Sequence, residues 1–88
     1  STSDFDVGGT RMLQNGFSAF VYPERDIYRP GETVHLAVIV RGQGIRVPTP
    51  FPVRLRVLGP DEKIVDEQQK MLNEEGAAEF QTTIARYQ

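Results

Sequence analysis

The residues able to do chemistry in this sequence are one histidine, a scatter of carboxylates, several arginines and aromatics, and two glycine pairs. His35 is the single imidazole and there are no cysteines, so the set of three or four nitrogen and sulfur ligands that zinc demands cannot be assembled. A Ser-His-Asp arrangement also lacks its nucleophile, because no Gly-x-Ser-x-Gly stretch is present. His35 therefore reads as a side chain on the face of a strand. Asp61, Glu62, Asp66, Glu67, Glu74 and Glu75 lack the Asp-x-Asp-x-Asp-Gly spacing that gathers oxygens around calcium, and they read as solvated turns and an exposed strand. A carboxylate pair for glycoside hydrolysis needs a cleft, which a single small sandwich rarely offers. Gly8-Gly9 and Gly42-Gln43-Gly44 fit neither a P-loop nor a dinucleotide fingerprint. Phe17, Phe20, Tyr22, Tyr28, Phe51 and Phe80 read as core and end packing, ahead of a sugar-stacking platform. Arg25, Arg29, Arg41, Arg46, Arg54 and Arg56 are diluted by acidic neighbours. The expectation is no catalytic residue, no metal and no cofactor.

Composition narrows the class further. With 88 residues there is room for one domain, which buries roughly 60–65% of its unfolded surface. The chain is 39% hydrophobic and 25% charged, a balance that excludes wholesale disorder. A net charge of −2 spread along the chain leaves no electrostatic footprint for nucleic acid. No apolar run approaches the ~20 residues of a membrane span. The start, Ser1-Thr2-Ser3-Asp4, has neither the basic nor the apolar stretch of a signal peptide, and there is no leading Met. The chain is accordingly expected to be a piece of a larger protein.

The elements that must position these residues follow a period of two. In segment 33–41, Val34, Leu36, Val38 and Val40 share one face, with His35, Ala37 and Ile39 on a half-apolar second face that marks a central strand. Segment 53–58 turns Val53, Leu55 and Val57 inward and Arg54 and Arg56 outward. Ala78, Phe80, Thr82 and Ile84 line one face of a later strand, and 18–22 forms an earlier one closed by Pro23. Segment 63–71 holds good helix formers, yet it lies between two turn signals, 59–62 and 73–76, so it reads as a largely exposed strand. Residues 42–52 carry too many prolines and glycines for a regular element and should cross the surface from one sheet to the other. Residues 1–16 read as a linker with room for one short edge strand, and 17–88 as the domain. The fold class is all-β, an antiparallel sandwich of about six to seven strands.

Between the first two of these strands stands Arg25-Asp26-Ile27-Tyr28-Arg29-Pro30-Gly31-Glu32-Thr33-Val34. This stretch closely resembles the signature of a macroglobulin domain in the alpha-2-macroglobulin superfamily, a basic residue followed by Ile-Tyr-Arg-Pro-Gly-Asp/Glu-x-Val. Pro52-Val53-Arg54-Leu55, Gly59-Pro60-Asp61-Glu62-Lys63-Ile64-Val65 and Asn73-Glu74-Glu75-Gly76 resemble later strands and hairpins of the family. Asp4-Phe5, Gly8-Gly9 and Phe17-Ser18-Ala19-Phe20 are similar to bacterial members, so the likeness runs over nearly the whole chain. The corner itself has a physical logic. Pro30 presets φ and Gly31 accepts φ > 0, as a type II turn requires. Tyr28 can lay its ring on the core and direct its hydroxyl to the sandwich end. Arg29 and Glu32 are expected to pair across the turn, an exposed pair that contributes little. Ile27, Tyr28, Arg29, Pro30, Gly31 and Glu32 are thus assigned a structural corner without catalytic duty.

The resemblance implies a structural module of a bacterial alpha-2-macroglobulin-like inhibitor that traps endopeptidases. It implies a periplasmic or cell-envelope parent, anchored to the inner membrane as a lipoprotein. Expected partners are neighbouring macroglobulin domains of the same chain and, for the full protein, its target peptidases; nucleic acid and direct membrane contact are not expected. Two departures stand out. Family sandwiches have about seven strands, and this chain is expected to stop short of the last one or two, which leaves an unpaired edge open to association between copies. There is also no Cys-x-Glu-Gln thioester motif. The alternative is a ligand-binding sandwich, a carbohydrate-binding or adhesin module, which predicts an exposed aromatic row or a calcium site.

Overall fold

Alternating side chains on β-branched runs leave the backbone one economical way to satisfy its amides, which is to pair into antiparallel ladders. The computed structural model describes residues 5–6, 9–12, 16–25, 27–59 and 61–85, giving the backbone alone at 5–6 and 9–12. Asp4, Gly8, Asp26 and Pro60 of the motifs above lie outside the described residues. The strands are β1 (Phe5–Asp6), β2 (Gly9–Met12), β3 (Ser18–Pro23), β4 (Ile27–Tyr28), β5 (Thr33–Arg41), β6 (Pro52–Leu58), β7 (Ile64–Met71) and β8 (Ala77–Thr83). Every described ladder is antiparallel. A four-stranded sheet has the order β2-β3-β5-β8, while β6-β7 and β1-β4 form two-stranded sheets.

The central position expected for segment 33–41 is the one β5 holds, between β3 and β8. Its inner residues Val34, Leu36, Val38 and Val40 are buried. They meet Ala19 of β3 and Ala78 and Phe80 of β8 on one side, and Phe51, Val53 and Leu55 from the β6 side and Leu72 on the other, with Tyr28 joining the same cluster. Two layers enclosing one core make this a sandwich of the macroglobulin and immunoglobulin type. Segment 63–71 is an extended and largely exposed strand, as the turn signals require. β2 pairs with β3, and Phe5–Asp6 pairs with β4. Residues 42–51 pass from the four-stranded sheet to β6 with one 3-10 turn at Gln43–Ile45.

The β7–β8 turn is built as its residues suggest. Asn73 Oδ1 accepts from the N–H groups of Glu75 and Ala77, at 2.8 and 3.0 Å, and Gly76 sits at φ 75°. A Cβ there would meet Arg41 Nη1 at 2.8 Å and the Val40 carbonyl at 3.0 Å, so side chain and backbone both require glycine.

Candidate functional site

Glycine decides the conformation of the corner. Pro30 and Gly31 occupy the centre of a four-residue turn closed by the Glu32 N–H donating to the Arg29 carbonyl at 3.1 Å. Gly31 takes φ 89°, the left-handed value that a type II turn needs at its third residue. Glu32 then ties the turn together. Its Oε1 accepts from the Arg29 N–H at 2.6 Å, and its Oε2 accepts from the Arg25 guanidinium at 2.9 Å. The Arg29 N–H, then the Arg25 side chain, hold the Glu32 carboxyl below its ordinary range, and the same carboxylate raises Arg25 above its own. Both groups are substantially exposed, so salt screens the pair.

Tyr28 is 1% exposed while its neighbour Ile27 is 53% exposed, as alternation on a two-residue strand dictates. The Tyr28 ring lies in the core cluster, and its hydroxyl accepts a hydrogen bond from the Arg25 N–H at 2.9 Å. The Arg25 guanidinium also stands 4.5 Å from the ring centroid. Below the turn, the Gly31 N–H donates to the Ile84 carbonyl at 2.7 Å and the Ile84 N–H donates to the Glu32 carbonyl at 2.9 Å, so the corner is stitched to the end of β8.

One expectation is corrected here. The charge partner of Glu32 is Arg25, and Arg29 contributes its backbone N–H instead of its side chain. Arg29 leaves the turn on the exposed side, whereas Arg25 starts the segment that folds back over the Tyr28 ring. Arg25 stands at the head of the motif, but its role depends on a chain reversal that spacing alone does not specify.

A second polar network, which the sequence reading missed, lies between the two layers. The hydrogen-bonded pairs of β5 and β8 run through Val40 with Gly76 and Ile84 with Glu32, so the carbonyls of Glu79 and Gln81 face away from β5. Lys70 Nζ donates to the first at 2.6 Å and Gln68 Nε2 to the second at 2.7 Å. Asp66 Oδ2 accepts from Thr82 Oγ1 at 2.8 Å and from Gln68 Nε2 at 2.9 Å. The Thr82 hydroxyl, then the Gln68 amide, hold the Asp66 carboxyl below its ordinary range. A signal did exist: on an alternating strand, Asp66, Gln68 and Lys70 share the face opposite Glu67 and Gln69, with apolar Val53, Leu55 and Val57 as their cross-strand partners.

The remaining candidates do not converge. His35 is exposed on the outer face of β5. Among the described residues, no group of three His, Cys, Asp or Glu side chains is placed to hold a metal ion. Asp61, Glu62, Glu74 and Glu75 lie in turns, and Glu67 pairs with Arg56 at 2.7 Å. Of the aromatics, Tyr28 and Phe80 are buried, Phe17 meets Phe51 at 5.8 Å between centroids, and Phe20 and Tyr22 share the outer face of β3, where Tyr22 is exposed. An open groove of about 610 Å³ is lined in part by Tyr22, His35, Lys70 and Glu79.

A sandwich whose corner polar groups are engaged in holding a turn is a structural module, of macroglobulin type. The MG2 domain family matches residues 18–88, and the chain belongs to it. MG2 domains are non-catalytic, and this chain is not an enzyme. It is 36% identical over 78 residues to a protein named Alpha-2-macroglobulin from Xylella fastidiosa, covering 89% of this chain and 5% of that protein. Proteins of the same name from Rickettsia conorii and Pasteurella multocida are 29% and 31% identical over 79 and 77 residues, covering 89% and 84% of this chain and 4% of each relative. The chain therefore spans about a twentieth of the curated relatives it matches. No solved structure matches it significantly.

Proposed function

We propose that this domain is a scaffold of a bacterial alpha-2-macroglobulin-like protein that inhibits endopeptidases by trapping them. It holds neighbouring macroglobulin domains in position and passes on their rearrangement, and the parent sits in the periplasm or cell envelope as a lipoprotein of the inner membrane. The observation that carries the reading is the corner. The side chains of Arg25, Tyr28 and Glu32, with the Arg29 backbone N–H, direct their polar atoms at one another and at the turn, which fixes a shape. The relatives' name supports an alpha-2-macroglobulin-like parent, and their far greater length supports a role as one part among many; the trap rests on the resemblance to the family. The periplasmic placement rests on the resemblance to bacterial members.

The test adds the isolated domain to a protease acting on a large protein substrate, alongside the full-length parent. The parent is expected to block cleavage of the large substrate and the domain alone to leave the rate unchanged. Stoichiometric inhibition by the domain alone contradicts a scaffold role. Cell fractionation of the parent checks the location, and recovery in the cytosolic fraction counts against it.

A further inference from the structure

The four-stranded sheet has an outer face as well as the inner one that makes the core, and its register sets the outer side chains in rows. Phe20 of β3, Ile39 of β5 and Ala77 of β8 stand side by side in the first. Tyr22, Ala37 and Glu79 make the second. In the third, His35 pairs with Gln81, and Glu24 joins through its N–H, which donates to the His35 carbonyl at 3.0 Å. Successive rows are two residues apart along each strand, a spacing of about 6.8 Å. The face thus grades from apolar to polar along the strands.

Ala37 turns this face into a groove. It is the smallest of the outer side chains of β5, and it stands between Tyr22 and Glu79. Those two are separated by two strand spacings, about 9.6 Å. The open hollow of about 610 Å³ is lined by all three, with Glu24, His35 and Gln81 from the third row. Tyr22 is 54% exposed, and Phe20, Ile39 and Ala77 are only half-buried. An aromatic ring beside a half-covered apolar row, rimmed by polar side chains, is the make-up of an interaction surface.

Charge selects what fits it. Glu24 and Glu79 are exposed, and neither belongs to an ion pair among the described residues. Lys70, the lysine that lines the groove, places its Nζ on the Glu79 carbonyl at 2.6 Å and not on a carboxylate. An exposed ring face flanked by free carboxylates attracts a cation, through the ring quadrupole and through charge. A guanidinium answers both, because it is planar, stacks on a ring and offers N–H groups along its edge to a carboxylate. A neutral sugar uses the ring and leaves the two charges unmatched. In an extended chain, side chains on one face repeat at the same 6.8 Å, about the spacing of the rows. We propose that this outer face binds an extended peptide segment of a partner protein, laid along the strands. Its arginine sits over Ala37, between Tyr22 and Glu79, and an apolar side chain two residues away covers Phe20 and Ile39. Glu24, one row on, adds to the field that draws the arginine in.

The test titrates the isotopically labelled chain with a capped seven-residue peptide carrying valine third, arginine fifth and serine elsewhere, read by NMR. Saturable amide shifts are expected at Tyr22, Ala37 and Glu79, with a dissociation constant of about 5 mM or below. Glutamate in place of the arginine abolishes them, and serine in place of the valine weakens binding at least about threefold. Tyr22→Ser, and Glu24→Gln with Glu79→Gln, each weaken it by about threefold or more, while Arg54→Gln on the other layer leaves it unchanged. The peptide series uses the native chain and decides the matter without any variant. Equal shifts from the glutamate peptide, no saturable shift, or shifts mapped away from these rows overturns the proposal. So does undiminished binding without the valine, which marks attraction by charge alone, or tighter binding of chitotriose at the same residues, which marks a sugar site. None of these outcomes bears on protease trapping, which is read with the full-length parent.

Discussion

At the residue scale, Tyr28 and Glu32 make the same turn depend on two different kinds of interaction. The Tyr28 ring is buried packing and its hydroxyl satisfies a backbone donor. Tyr28→Phe keeps the first and removes the second, so urea denaturation is expected to show a loss of about 1 kcal/mol, against about 3–5 kcal/mol for Tyr28→Ala. Equal losses from the two variants would mean that the hydroxyl, and not the ring, sets the cost. Glu32 acts through charge. Its folded pKa lies below the ordinary 4.5, so its contribution is fully present above that value and is lost as the pH falls through the folded pKa. The stability gap between the native chain and Glu32→Gln should therefore close on acidification from neutral pH, and should also shrink with added salt. Asp66 has the same sign, so part of the acid limb survives in that variant.

At the element scale, the hairpin of β6 and β7 is held to the larger sheet by two unlike seams. Val53 and Leu55 supply apolar contact, and Gln68 and Lys70 supply donors to carbonyls that no strand has claimed. Their contribution to stability is expected to be small because both side chains reach water. Their larger effect is to occupy an edge. Replacing Gln68 and Lys70 by valine removes both donors and the inward charge and raises β propensity, so sedimentation should show concentration-dependent association absent from the native chain. A strictly monomeric double variant would mean that something other than these two side chains keeps the edge of β8 from pairing.

At the scale of the whole molecule, a small core leaves little reserve. A chain of 88 residues has a total stability of about 4–13 kcal/mol. Phe80, 3% exposed, reaches the centre of the cluster from β8. Phe80→Ala is expected to cost about 3–5 kcal/mol, enough to bring the thermal transition far down or to unfold the chain outright. A melting temperature within a few degrees of the native one would show that the two layers are less interdependent than the shared cluster requires. The same economy explains why a module of this kind suits an assembly, where neighbouring surfaces add to burial that one domain cannot supply alone.

The sequence by itself determined the layered all-β class, because side chains alternating across β5, β6 and β8 can bury their apolar halves in one way only. It also determined the Pro30-Gly31 turn, since proline and glycine restrict φ locally whatever surrounds them. Tertiary structure decided the rest. That Arg25 and not Arg29 meets the Glu32 carboxylate depends on where the chain travels between β3 and β5. The bonds of Gln68 and Lys70 depend on β7 lying beside an edge of β8 that is distant in bonding pattern though near in sequence. Long, flexible polar side chains choose partners by proximity in space, and alternation fixes the face on which they stand without fixing what that face will meet.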